Sequence, residues 1–356
     1  MLAINKRNKG WLIFMLNGCD YCEEEQVYFL QKYRHPTIVS KNLNINKFCR
    51  DCYQKYFEDK ICNLFMSNKV ISLSDNNKIL LSLSGGIDSC VMLVSLYNLI
   101  KTGKLKFSFD AITINPEIGN YSEINLARAK KITEEYKIMH KIINFSDYYG
   151  YSSKDIILKA NHKYKNNAYV GCVYCSGLSS KILNTYAIEN DYNIMLYGNH
   201  LSDCVNRIFS CLATGNLHTL SLYLTPTTSS HENQFHRVAP LYYFLKNEIL
   251  AYANLLGLKD FNEKCQFHNE YWRRDLDNFI FFLEDKNPGI QYAIYQIFTN
   301  NFSNKINELD LQGKTCDDCG SVIYDANVLL CPSCKYAKDL KLLRPYIKGE
   351  IQPCLQ

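Results

Sequence analysis

One short stretch limits what this chain can become. Lys78 to Cys90 reads K-I-L-L-S-L-S-G-G-I-D-S-C: an Ile- and Leu-rich run from Ile79 to Leu83, a Gly-Gly turn, then Cys90 to Leu96 with helical apolar spacing. The pattern predicts strand, tight turn and helix in immediate succession. Such a turn aims backbone N–H groups and the positive end of a helix at one point, where a phosphate gains from both. Ser84 and Ser89 add hydroxyls, and Gly85 and Gly86 have no Cβ to hold an anion away. A Walker loop would carry Lys and then Ser or Thr after its last glycine, but Ile87-Asp88 stands there. Ser84, Gly85, Gly86, Asp88 and Ser89 are therefore expected to bind ATP for loss of pyrophosphate, with AMP passed to an acceptor.

Cysteine is the second constraint. Of 16 cysteines, most fall into C-x-x-C pairs: Cys19/Cys22, Cys49/Cys52, Cys172/Cys175, Cys316/Cys319 and Cys331/Cys334. Two cysteines three apart chelate one metal from a knuckle turn, a spacing that disulfide frameworks rarely repeat. Cys19, Cys22, Cys49 and Cys52 are expected to close one structural Zn2+ site, and Cys316, Cys319, Cys331 and Cys334 a second. A metal-loaded chain of this kind belongs in a reducing, cytoplasmic compartment. The apolar run Trp11 to Leu16, with Cys19 behind it, faintly resembles an export signal but is short for one. No other run is long and apolar enough to span a bilayer.

Along the chain, Lys106–Asn115 reads as a second strand, 122–136 as an amphipathic helix and His140–Phe145 as a third strand. The alternation predicts an α/β fold with a doubly wound parallel sheet, whose ligands sit at the carboxyl ends of the strands. At 356 residues, two or three units are expected: an N-terminal ribbon over 1–70, a catalytic domain over 75–300, a C-terminal ribbon over 301–345 and a tail over 346–356. The net charge of +5 permits a nucleic-acid partner without requiring one.

Cys172 and Cys175 open an apparent helix with no second knuckle nearby. A lone pair there serves as a redox couple, a sulfur carrier or two ligands of an iron–sulfur cluster, and its partner must lie far along the chain. Cys265 is the best remaining candidate, since Cys90, Cys204 and Cys211 fall on apolar helical faces.

The order of motifs carries a resemblance. Ser84-Gly85-Gly86-x-Asp88-Ser89 resembles the PP-loop of the ATP pyrophosphatase superfamily. Cys172-x-x-Cys175-Ser176, Gly198-Asn199-His200-Leu201-Ser202-Asp203, Arg237-x-x-Pro240-Leu241, and Cys265 ahead of Asn287-Pro288-Gly289 follow it as they do in tRNA 2-thiolation enzymes. That group includes the cytosolic wobble-uridine thiolases, their archaeal relatives and the TtuA-type thiolases, and the likeness spans nearly the whole chain.

The resemblance implies a HUP-like, PP-loop catalytic domain that takes ATP and Mg2+. It implies adenylation of the C2 oxygen of a tRNA uridine, followed by sulfur transfer. Cys172, Cys175 and Cys265 would be three ligands of a [4Fe-4S] cluster with one open iron; the rival account uses the same cysteines for persulfide and disulfide chemistry without iron. Asp203 is expected to bind magnesium or polarise the substrate, with a helix N-terminal carboxylate as its plainer role, and His200 to be a cap. The basic stretch that relatives carry is thinned here to Ser179-Ser180-Lys181, which leaves Lys181 as its charged member, facing tRNA phosphate or the reacting carbonyl. Arg237 is expected to hold a phosphate or pair with Glu248, and Arg273 and Arg274 are further phosphate candidates. The implied partners are tRNA and a sulfur donor, either a ubiquitin-like thiocarboxylate carrier or sulfide; a homodimer is compatible with this class. The alternative is a PP-loop enzyme that adenylates a small molecule or sugar for amidation or thioamide formation.

Overall fold

The computed structural model describes residues 18–33, 44–66, 77–163, 170–215, 225–229, 235–258, 263–267, 273–308, 314–319, 322–323 and 328–342. The run Trp11–Leu16 and the tail 346–356 lie outside these residues. Strands β1 (Phe29–Tyr33) and β2 (Asn44–Phe48) form an antiparallel pair that carries the first cysteine knuckles into helix α1 (Arg50–Met66). Aromatic side chains anchor α1: Tyr53 and Phe57 are fully buried, and Phe57 stacks on Tyr252 with ring centroids 4.0 Å apart.

The main sheet has six strands in the order β5-β4-β3-β6-β8-β7. Five are parallel: β3 (Ile79–Ser82), β4 (Phe109–Asn115), β5 (His140–Asn144), β6 (Ile194–Leu196) and β8 (His236–Val238). The edge strand β7 (Thr227–Ser229) runs antiparallel to β8, because a short hairpin connection cannot make the crossover that a parallel neighbour requires. Ile79, Leu80 and Leu81 of β3 are all buried, as a central strand covered on both faces demands. Helix α2 (Ile87–Lys101) follows β3 and is buried from Ser89 to Leu96.

Helices α3 (Gly119–Glu135), α4 (Phe145–Tyr149), α5 (Ser153–Lys163), α6 (Val170–Glu189), α7 (Leu201–Thr214) and α8 (Lys246–Leu255) complete the domain. Two more, α9 (Arg273–Lys286) and α10 (Ile290–Glu308), are separated by a break at Pro288-Gly289. Helix α10 is held on the domain where Tyr295 and Phe298 pack against the Cys204–Ile208 face of α7. The second ribbon comprises β9 (Lys314–Thr315), β10 (Val322–Ile323) and α11 (Pro332–Asp339). Among the described residues no helix is long and apolar enough to cross a membrane.

Strand order reverses at β3: the chain moves outward through β4 and β5, then returns to place β6 on the other side of β3. A crevice opens at such a switch point, at the carboxyl ends of the two strands. The Gly-Gly turn follows β3, and the Gly198–Asp203 segment follows β6.

Candidate functional site

The turn has the stereochemistry an anion cradle needs. Gly85 has φ +76°, and a Cβ there would lie 2.0 Å from the backbone oxygen of Asn125 in α3. Gly86 caps α2 in an extended conformation with no side chain satisfying the first-turn N–H groups, which leaves them for a ligand. Ser84 Oγ accepts from Gly86 N–H at 3.2 Å and lies 3.1 Å from Ser89 Oγ, which donates to Gly86 O at 3.0 Å. Gly198 fits against this turn for a similar reason: a Cβ there would meet Ser89 N at 3.2 Å.

Beyond Gly198, His200 and Asp203 form a capping box at the start of α7. Asp203 N–H donates to His200 Nδ1 at 3.3 Å and His200 N–H to Asp203 Oδ2 at 3.1 Å. The expectation that His200 is a cap is met, and Asp203 fills the plainer of its two expected roles while also lining a cleft of ≈ 260 Å³ with Asn199, Arg207 and Arg237. His200 Nε2 reaches Asp88 Oδ1 at 3.9 Å. Asp88 is chelated by Lys246 at the first turn of α8, with Nζ 2.5 and 2.7 Å from its two carboxylate oxygens.

The three central cysteines converge. Cys172 and Cys175 lie three apart on one face of α6, and Cys265 comes to them from beyond α8, where Phe267 packs beside Gly171 at 3.4 Å from where a Cβ would stand. Burial pushes the Cys175 thiol up to about 11, with Cys265 and Cys172 adding to the rise. The same three sulfurs bear on the Tyr121 phenol, which is pushed up first by burial and then by Cys265 and Cys175. Tyr121 and Asn125 sit one turn apart on α3, about 6 Å along its axis, and Asn125 abuts Gly85. One turn of α3 thus separates Asn125, against the Gly85 turn, from Tyr121, which feels the three cysteines.

Lys181 is not in this group, which corrects its expected role. It stands nine positions after Cys172, half a turn out of phase at roughly 100° per residue. Its buried ammonium pairs with Asp318 and donates to Cys334 Sγ at 3.6 Å. The same face of α6 carries Tyr174, whose ring lies 4.7 Å from that of Tyr336, and Gly177, where a Cβ would come within 2.7 Å of Ser333 Oγ. Helix α11 and the second ribbon are therefore clamped onto the back of the cysteine helix. Ser176 and Ser179 turn their hydroxyls onto the carbonyls of Cys172 and Cys175 at 2.7 Å. Arg237 does not pair with Glu248: it donates to Asn184 Oδ1, while Glu248, 1% exposed, takes Lys60 at 3.2 Å.

The eight knuckle cysteines form two groups as expected. Within each, four Sγ atoms lie within 4.8 Å of one another, with 3.6 Å between Cys22 and Cys49 and between Cys319 and Cys331. Four thiolates on one tetrahedral ion with bonds of about 2.3 Å need edges of about 3.8 Å, so each set fits a single zinc-sized ion. Cys62 packs against the core instead. A larger cavity of ≈ 1130 Å³ lies between α1 and Thr225–Thr227, lined by Tyr21, Phe48, Tyr56 and Lys60. It contains none of the turn residues or central cysteines, so volume does not select the site.

Tyr121, Asn125 and Lys246 were not singled out by sequence reasoning. For Lys246 a signal existed: a turn expected to take a polyphosphate, with no cation of its own, needs one from elsewhere. Tyr121 and Asn125 carry no local signal.

No family model matches the chain. It is similar to the Schizosaccharomyces pombe protein named cytoplasmic tRNA 2-thiolation protein 1, at 24% identity over 90% of each chain. It is similar to the Dictyostelium discoideum protein of the same name, at 25% identity over 82% of this chain and 78% of that one. Among solved structures it is similar to the U34-tRNA thiolase NcsA of Methanococcus maripaludis with its [4Fe-4S] cluster, with TM-score 0.65, 23% identity, and 92% and 97% of the two chains covered. That likeness agrees with the parallel sheet and its helices.

Proposed function

We propose that this chain, a homologue of the proteins named cytoplasmic tRNA 2-thiolation protein 1, is an ATP-dependent tRNA uridine 2-thiolase. The observation that supports the reading is the bridge along α3: Asn125 abuts the Gly85 turn and Tyr121, one helical turn away, lies within the electrostatic reach of the three cysteines, so a turn suited to adenylation and a three-cysteine site border the same helix. The turn N–H groups and Ser84 and Ser89 hold the ATP phosphates while the uridine O2 attacks the α-phosphorus. The O2–P bond forms as the bond to the β-phosphate breaks, the electron pair leaves on pyrophosphate, and the N3 proton passes to solvent. Adenylation turns a poor leaving group into AMP.

Cys172, Cys175 and Cys265 are the residues that would hold a [4Fe-4S] cluster, since three thiolates from two segments are the chemistry of a cluster with one open iron. Such a cluster supplies, when bound, a site that holds sulfide for displacement of AMP. Asp203, at the cleft wall, is the carboxylate that would meet magnesium carried in with ATP. The two four-cysteine sets would hold structural zinc. A cytoplasmic setting accords with the relatives' names and with the metal-binding use of cysteine. The sulfur donor is proposed to be a thiocarboxylate carrier or sulfide.

The test is anaerobic turnover with purified tRNA, together with mass spectrometry of tRNA nucleosides from cells with and without the protein. AMP and pyrophosphate are expected only with tRNA present, and loss of the protein is expected to remove a 2-thiouridine. AMP release with a small acceptor and indifference to tRNA would instead establish the small-molecule reading, which the Ser179-Ser180 thinning of the basic stretch favours.

A further inference from the structure

The turn at Ser84–Ser89 is electrostatically incomplete. It holds no cation, and its charged residue is Asp88, in the first turn of α2. A helix N-terminus offers about half a positive charge, too little for the polyphosphate of ATP next to a carboxylate. The missing charge stands across the crevice. Lys246 Nζ lies 2.5 and 2.7 Å from the two oxygens of Asp88.

The base of Lys246 is fixed and its tip is open. Its backbone N–H donates to Ser202 Oγ at 3.4 Å, in the segment after β6. The preceding residue, Leu245, donates its N–H to Glu248 Oε2 at 2.8 Å, and Glu248 is locked by Lys60, Tyr56 and Tyr292. The ion pair itself is solvated, with Lys246 and Asp88 side chains 23% and 28% exposed. A four-carbon stem on such a base can swing its ammonium by a few ångströms without moving α8.

Given the ATP-dependent reading above, we propose that Lys246 is the polyphosphate-binding cation of this site, which exchanges the Asp88 carboxylate for the β- and γ-phosphates of ATP and stays with pyrophosphate as it departs. As the α-phosphorus takes the uridine oxygen, the electron pair released onto pyrophosphate meets the ammonium; no proton and no further reactant is needed. Asp88 holds the ammonium at the mouth between turnovers.

The experiment is equilibrium binding of ATP, inorganic pyrophosphate and AMP to the full-length protein and to Lys246→Gln and Lys246→Arg. Lys246→Gln is expected to weaken ATP and pyrophosphate by about tenfold or more while AMP changes by less than about twofold, and Lys246→Arg to recover most of the loss. Unchanged pyrophosphate binding in Lys246→Gln overturns the proposal, as does an equal loss for AMP and ATP, which would mark Lys246 as a prop for the turn. A second readout needs no variant: an amine-directed reagent on the wild-type protein, read by peptide mass spectrometry, is expected to find Lys246 protected by pyrophosphate and not by AMP, and equal labelling overturns the proposal. Wild-type protein that binds neither ATP nor pyrophosphate overturns the nucleotide reading itself, whereas normal wild-type binding with an indifferent Lys246→Gln overturns this assignment alone.

Discussion

Substituting Gly85 by alanine probes the junction on which the site rests. At φ +76° an L-residue is strained by about 1–2 kcal/mol. Its Cβ would also stand 2.0 Å from the Asn125 carbonyl oxygen, a backbone atom that cannot rotate away, so α3 or the turn must shift. Overpacking of that kind costs about 1–3 kcal/mol, for a total of about 2–5 kcal/mol. Gly86→Ala is the control: Gly86 has φ −74°, and its Cβ would meet only the Ser84 hydroxyl at 3.3 Å, which can rotate. Gly198→Ala falls between them, with backbone contacts at 3.2 and 3.4 Å and no strained φ. Urea denaturation of the three variants is expected to order them Gly85, Gly198, Gly86 by loss of stability. ATP binding is expected to vanish in Gly85→Ala, and the environment of Tyr121, one turn along α3 from Asn125, to change with it. A Gly85→Ala protein as stable as Gly86→Ala would refute the close approach of α3 to the turn.

Further outcomes follow from other contacts. Cys265→Ala is expected to lower iron content and cluster absorbance after anaerobic reconstitution while leaving zinc content intact, since the two four-cysteine groups lie elsewhere; unchanged iron removes Cys265 from the ligand set. Lys181→Gln breaks a hydrogen bond to a carboxylate, is expected to cost about 1.5–3 kcal/mol and should expose the second ribbon to protease without weakening tRNA binding. His140 lies between Thr113 Oγ1 at 2.7 Å and Thr133 Oγ1 at 3.0 Å, and burial, with Lys130 adding, holds its pKa below the usual value. The unfolded chain therefore binds the proton first, so stability is full above about pH 6.5 and falls as pH drops toward the folded value. His140→Gln is expected to flatten that acid limb in pH-dependent melts, and an unchanged slope would clear His140 of the effect.

Motifs closed by a few residues were legible in the chain. A C-x-x-C knuckle and a Gly-Gly turn between strand and helix are set by local backbone geometry, so the two four-cysteine groups and the Ser84–Ser89 cradle emerge where spacing put them. The parallel β3, β4 and β5 followed from the alternation of strands with helices, whereas the short β6 and β8 did not stand out, and neither did β7, because the direction of an edge strand depends on its connection. Lys181 shows the boundary well. Helical phase alone turns it away from Cys172, but nothing near it in sequence says that Asp318 and Cys334 wait on the other side.

Tertiary structure alone decided the rest. The meeting of Cys265 with Cys172 and Cys175, the seat of Asn125 on Gly85 and the reach of Lys246 to Asp88 all join segments far apart in the chain. Such contacts depend on which strand lies beside β3 and which helix face the sheet buries. That choice comes from the summed burial of the whole core, to which no single segment contributes enough to reveal the outcome.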